Sequence, residues 1–217
     1  MLSSRRCWAS GVDKVALAFT AHPDDAEICF GGTLIALAKR GWEVHVVVAS
    51  VPDSRARRLT EVDAGAAALG VRAEILDHPG CWQVEDLPTY ALVREFDQYV
   101  RKLQPDKVFT HWISDTHNDH VLTARAALSA VRGRPVDFYM GEQSNQYAPS
   151  AIPFPANTYV DISEHTEAKL AAVACHTSQD AAAKYAEHLR ARARYHGERA
   201  GCHSAEALHC VTQRLVP

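Results

Sequence analysis

Short apolar or β-branched runs alternate with helical patterns through the first two thirds of this chain, and that alternation limits the folds open to it. Strands are predicted at Val15–Ala21, Glu43–Val51, Ala73–His78, Lys107–Trp112 and Val136–Met140. Helical patterns lie between them at Cys29–Arg40, Arg55–Leu69, Leu87–Leu103 and Val121–Arg132. Strands joined through helices of this length form βαβ units, so the expected fold class is α/β. It should be a Rossmann-like, mostly parallel sheet with helices on both faces. Ligands of such sheets sit outside the carboxyl ends of the strands. Residues 141–157, rich in Pro, Ser, Asn and Gln, read as a long loop that helps shape such a site. A strand at Thr158–Ile162, helices at Glu164–His176 and Ala181–Arg199, and a short run at Ala207–Val211 complete the expectation. A chain of 217 residues with 47% hydrophobic content fits one domain over 1–217 with a full-sized core.

Two polar strings fall at the predicted carboxyl edge. Ala21-His22-Pro23-Asp24-Asp25-Ala26-Glu27 follows the first strand, and His117-Asn118-Asp119-His120 follows the fourth. A histidine with two adjacent carboxylates offers one nitrogen and two hard oxygens to a single point, which suits a metal ion. Helix capping explains part of the pattern, because Asp24 with Glu27 three residues on fits an N-cap and acidic groups favour a helix start. Capping does not explain His22, or a second histidine-rich loop at the same edge. His117 and His120 alone would suit a solvated turn, but Asp119 between them is the type of residue that fixes an imidazole tautomer. Three protein ligands with an open position would define a catalytic rather than a structural zinc site.

These strings resemble the LmbE-like (PIG-L) zinc-dependent N-deacetylases. Further matches are Gly31-Gly32, Arg58-x-x-Glu61 with Leu69-Gly70, Val160-Asp161-Ile162-Ser163 with Lys169, His176-x-Ser178-Gln179 and Ser204-Ala205-Glu206-Ala207, so that the likeness runs from about residue 14 to 211. The resemblance implies removal of an acetyl group from an N-acetylated amino sugar or small glycoconjugate by metal-activated water. It implies His22, Asp25 and His120 as ligands of one Zn2+ per chain, for which Fe2+ or Co2+ can substitute. It further implies Asp24 as general base and His117 as a protonated stabiliser of the developing oxyanion, oriented by Asp119. Some members carry a tyrosine two residues before the catalytic histidine; this chain has Asp115 there.

Other residues at the same edge are candidates for substrate binding. Arg58 can hold hydroxyls or a phosphate, and Glu142, Gln143 and Asn145 open the long loop. Trp82 and Trp112 can stack on a sugar ring or join the core. Arg190, Arg192, Arg194 and Arg199 with His188 and His196 read as a solvated basic face, while His45, His78, His111, His203 and His209 have no carboxylate-rich context and receive no role. Lys plus Arg total 23 against 26 acidic residues, so there is no basic field for nucleic acid. Six cysteines without a Cys-x-x-Cys pair suit a reduced, cytoplasmic setting, and neither a signal peptide nor a membrane span is expected. Self-association is left open.

Two other function classes remain on the residues alone. A non-catalytic sugar or nucleotide binder would hold its ligand at the same strand ends, although a nucleotide fold would want Gly-x-Gly-x-x-Gly where this chain has His-Pro-Asp-Asp. A metal-dependent phosphohydrolase would want two metals and more carboxylates.

Overall fold

A computed structural model describes residues 14–76, 78, 82–142 and 152–214. Seven strands form one sheet in the order β3-β2-β1-β4-β5-β7-β6. They are β1 (Val15–Thr20), β2 (Glu43–Val48), β3 (Arg72–Ile75), β4 (Lys107–His111), β5 (Asp137–Gly141), β6 (Thr158–Asp161) and β7 (Ala205–Thr212). The first five run parallel, and β7 pairs antiparallel with both β5 and β6. This is the expected mixed α/β arrangement in a single domain, with the predicted run at Ala207–Val211 extended into an eight-residue strand.

Helices α1 (Asp25–Lys39), α2 (Arg55–Leu69), α3 (Thr89–Leu103), α4 (Asn118–Ala130), α5 (Thr166–Val173) and α6 (Ala181–Ala200) cover the sheet. β1 is buried at every position, as a central strand covered on both faces must be. Its alternate residues feed two cores. Leu17 and Phe19 face a cluster with Phe96 and Val108, and Ala16 and Ala18 face one with Phe30, Leu34 and Phe109. Phe19 stacks on Phe96 with ring centroids 4.0 Å apart. The small alanines on the second face let α1 approach the sheet closely.

β1 lies between β2 and β4. Helical connections leave β1 toward β2 and β4 toward β5, in opposite directions across the sheet, so the chain diverges between β1 and β4. That divergence opens a crevice at the carboxyl ends of the two strands, and both His/Asp strings border it.

Several resemblance motifs turn out to be long-range ties. Glu61 of α2 accepts hydrogen bonds from Thr177 Oγ1 (2.9 Å), Ser178 N (2.7 Å) and Ser178 Oγ (2.5 Å). Burial pushes the Glu61 carboxyl up, but these donors with Arg57 outweigh it and hold the group below its ordinary value. Among the described residues no helix is long and apolar enough to cross a membrane.

Candidate metal centre

The turn after β1 is shaped by backbone geometry before any side chain acts. Asp24 has φ 88°, a left-handed conformation uncommon for a residue other than glycine. Such strain of the order of 1–3 kcal/mol persists only where the surroundings enforce it. Here Asp25 Oδ2 accepts the His22 N–H at 2.7 Å, and Arg58 Nη2 donates to the Pro23 carbonyl at 2.9 Å. The result is that Asp24 and Asp25, adjacent in sequence, enter different surroundings.

Two of the expected ligands, His22 and His120, each lie near the third, Asp25. His22 Nδ1 lies 3.7 Å from Asp25 Oδ2, and His120 Nε2 lies 3.3 Å from Asp25 Oδ1. Donor atoms arranged tetrahedrally at ~2.0–2.1 Å from a zinc ion sit about 3.3 Å from one another; the His120 separation matches that value and the His22 separation, to the other Asp25 oxygen, is longer. The far nitrogen of each histidine is held by its own carboxylate. Asp119 Oδ2 lies 2.8 Å from His22 Nε2, and Asp115 Oδ2 lies 2.9 Å from His120 Nδ1. Imidazoles that bind metal are commonly oriented in this way, with the second nitrogen donating to a carboxylate and the first left to the ion. The arrangement occurs here twice.

Asp119 differs from its expected role. It was expected to orient His117, but it sits against His22 and also accepts the Val84 and Glu85 N–H groups at 3.1 and 3.0 Å. The cause is its place in the first turn of α4: Asp119 points inward and is buried, whereas His117 is the exposed residue that precedes the helix. The His117 ring stacks on that of His120, with centroids 4.6 Å apart. Burial and then the positive charge of His120 hold the His117 pKa below its ordinary value. That direction disfavours the protonated form expected from the sequence.

The two acidic neighbours are driven apart. Burial pushes Asp24 up to about 8, and the adjacent Asp25 adds to the rise. Asp25 is also buried, yet His120 and His111 hold it well below the ordinary carboxylate range. One carboxylate is therefore able to carry a proton and the other stays an anion, the separation that acid–base sites depend on. Asp115 is likewise held low, since the His120 hydrogen bond outweighs its burial. His120 itself is raised to about 10, because Asp25 and Asp115 outweigh its burial.

His111, to which sequence reasoning gave no role, belongs to the site. It ends β4, is buried, and stacks on His120 with centroids 3.9 Å apart and rings 10° from parallel. Its Nε2 accepts the Ala21 N–H at 3.0 Å and lies 3.4 Å from Asp25 Oδ2. A backbone donor on Nε2 fixes the neutral tautomer with hydrogen on Nδ1, in accord with a pKa lowered by burial to about 4. Two groupings among the described residues have donor atoms close enough to share an ion: His22, His117 and His120, and Asp25, His111 and His120.

The candidate substrate residues are distributed differently. Arg58 is buried behind the loop, 3.9 Å from Asp24 Oδ1 and 3.2 Å from Asp53 Oδ1, so its guanidinium supports the turn. Glu142 points toward α6, where its Oε2 lies 2.9 Å from His196 Nε2 and 3.5 Å from Arg192 Nε. Part of the supposed solvated face of α6 is thus turned inward. Gln143 and Asn145 lie outside the described residues. Trp112 is buried, while Trp82 is 60% exposed, two residues before the Val84 N–H that binds Asp119.

The model of the PIG-L family, GlcNAc-PI de-N-acetylase, matches residues 17–131. A 1D-myo-inositol 2-acetamido-2-deoxy-alpha-D-glucopyranoside deacetylase from Corynebacterium diphtheriae is 28% identical over 141 residues, 49% of this chain and 48% of that protein. The match thus spans about half the length of that relative. A 4-oxalmesaconate hydratase from Pseudomonas putida is 27% identical over 77% of this chain and 74% of its own. The structure of N,N'-diacetylchitobiose deacetylase from Pyrococcus horikoshii superimposes with a TM-score of 0.76 at 26% identity, covering 91% of this chain and 84% of that one.

Proposed function

Because the chain belongs to the PIG-L de-N-acetylase family, we propose that it hydrolyses the acetamide of an N-acetylated amino sugar or small glycoconjugate, with one Zn2+ held by His22, Asp25 and His120. The observation that carries this reading is the pair of carboxylate-backed histidines converging on Asp25. When bound, the ion supplies a Lewis acid that polarises the amide carbonyl and brings the pKa of a water molecule toward ~7. Fe2+ or Co2+ would serve in the same ligands.

Asp24, ionised, takes a proton from the attacking water as the new C–O bond forms. It then passes that proton to the nitrogen as the C–N bond breaks, so that acetate and a free amine leave. His117 donates a ring N–H to the carbonyl oxygen as negative charge develops, a task open to a neutral imidazole and performed more strongly by a charged one. Asp119 and Asp115 keep the donor nitrogens of His22 and His120 aimed inward. Arg58 holds the Pro23 carbonyl and so keeps Asp24 in its strained position. The exposed Trp82 indole lies on the segment bonded to Asp119 and offers a flat apolar face to a sugar ring.

The hydratase relative supports a second reading, in which the same activated water adds to a carbon–carbon double bond. An amine-release assay across free and conjugated N-acetylglucosamine separates the two. Purified protein should contain about one zinc per chain and release amine and acetate in equal amounts. A zinc-loaded protein that releases no amine from any member of the panel refutes the deacetylase reading.

Asp115 gives a further prediction. Asp115→Asn should weaken zinc affinity by about 10–100-fold, the usual effect of losing a partner behind a metal-bound histidine. Chelator competition measures this directly, and unchanged affinity would remove Asp115 from the site.

A further inference from the structure

Helix α1 is broken immediately after the residues that carry the metal site. Phe30 has φ −145° and ψ 23°, outside helical values, within an otherwise helical run from Asp25 to Lys39. A break of this kind frees carbonyls on its first side and N–H groups on its second, and each needs a partner when buried. Both sets are met by a single ion pair from distant elements. Lys169 of α5 donates from Nζ to the Ile28 carbonyl at 2.9 Å. Glu206 of β7 accepts Gly32 N at 2.9 Å, Thr33 N at 2.7 Å and Thr33 Oγ1 at 2.6 Å. Lys169 Nζ and Glu206 Oε1 are 2.6 Å apart, and both residues are buried.

In an unbroken helix the Gly32 N–H would reach the Ile28 carbonyl four residues back. Here the Lys169–Glu206 pair stands between them. The charges have the right signs, a cation at the carbonyl end of the first turn and an anion at the amide end of the second segment. A Cβ at Gly31 would lie 3.3 Å from Lys169 Cγ, and one at Gly32 would lie 2.7 Å from Ile162 Cγ2, so the glycine pair leaves room for Lys169 and for Ile162 beside the break. Arg192 adds a second donor to the Ile28 carbonyl at 3.4 Å. A buried pair of this type is a poor source of stability, because desolvation offsets much of the attraction. Its presence therefore calls for another role.

We infer that Lys169 and Glu206 are positioning residues, an ion pair inserted into α1 that sets the angle of its first turn and so fixes Asp25 against His22 and His120. The inference rests on the metal reading above. It accounts for three resemblance motifs with no assigned task, Gly31-Gly32, Lys169 and Ser204-Ala205-Glu206-Ala207. With the pair made neutral, the helix can close across Phe30, and Asp25 turns away from the histidines.

The test uses the full chain with Lys169→Met and Glu206→Gln combined, which removes both charges and leaves neither one buried alone. Zinc affinity by chelator competition, thermal midpoint and steady-state kinetics are measured on the same preparations. The expected result is a zinc affinity lower by about 10–100-fold and a reduced kcat in zinc-saturated protein, with KM and thermal midpoint near wild type. Thr33→Val, which removes one donor from Glu206 and keeps the pair charged, is the milder variant should the double one not fold. Its zinc affinity should fall several-fold. Wild-type protein that binds no zinc overturns the metal reading and this inference with it. Zinc-binding wild type matched in affinity and kcat by the double variant, or by Thr33→Val if only that folds, overturns the positioning role alone.

Discussion

Replacing Asp24 by Asn should lower kcat by about 10²–10⁴-fold, the usual worth of a general acid–base group, while the protein keeps its zinc. Asparagine preserves the size of the side chain and tolerates left-handed backbone better than most residues, so the φ of 88° at this position is not a reason for the variant to misfold. What it loses is the ability to take a proton. The pH dependence follows with a definite sign. Burial and Asp25 raise the Asp24 pKa to about 8, so the base is protonated and inactive below its pKa and becomes active as pH rises through it. A bound dication a few ångströms away favours the ionised form and moves that limb to lower pH. The acidic limb of kcat against pH should be present in wild type and absent in Asp24→Asn. An acidic limb that survives the substitution belongs to another group.

His117→Ala should lower kcat by about 10²–10³-fold, the scale seen when one oxyanion donor is removed. His117 stands beside His22 and His120, with ring centroids 4.9 and 4.6 Å away, so its N–H is close to any carbonyl that approaches the ligands. The ring is exposed, so the loss should fall on turnover rather than on folding. His117→Gln, which retains an N–H donor, should recover part of the loss. Equal activity in Ala and Gln variants would argue against a donor role.

Much of the candidate site was legible because its proposed ligands come in two short strings at strand ends, and alternation of strand and helix patterns placed both strings at one edge. That His22 and His120 would each lie near Asp25 needed no knowledge of packing. His111 was invisible for the opposite reason: its significance lies in a hydrogen bond to Ala21, 90 positions away, and nothing beside it in sequence signals that. The partner of Asp119 was misjudged because it depends on how the first turn of α4 faces β1, which spacing alone does not fix. Asp115 drew notice only as a departure from a tyrosine, although a carboxylate five residues before His120 could have been read as the support of that ring. The break in α1 left only Gly31-Gly32 as a trace, and glycines in a helix do not reveal that a lysine and a glutamate from two later elements enter there.

The division of labour between adjacent carboxylates is the centre of this account, and one paired measurement tests it: zinc affinity and kcat for Asp24→Asn and Asp25→Asn, made side by side. Asp25→Asn loses an anionic ligand, so zinc should bind more weakly and added zinc should restore part of the activity. Asp24→Asn should bind zinc as wild type does and stay slow however much zinc is added. If Asp24→Asn loses the metal while Asp25→Asn keeps it, the roles are exchanged and the mechanism proposed for this site is wrong.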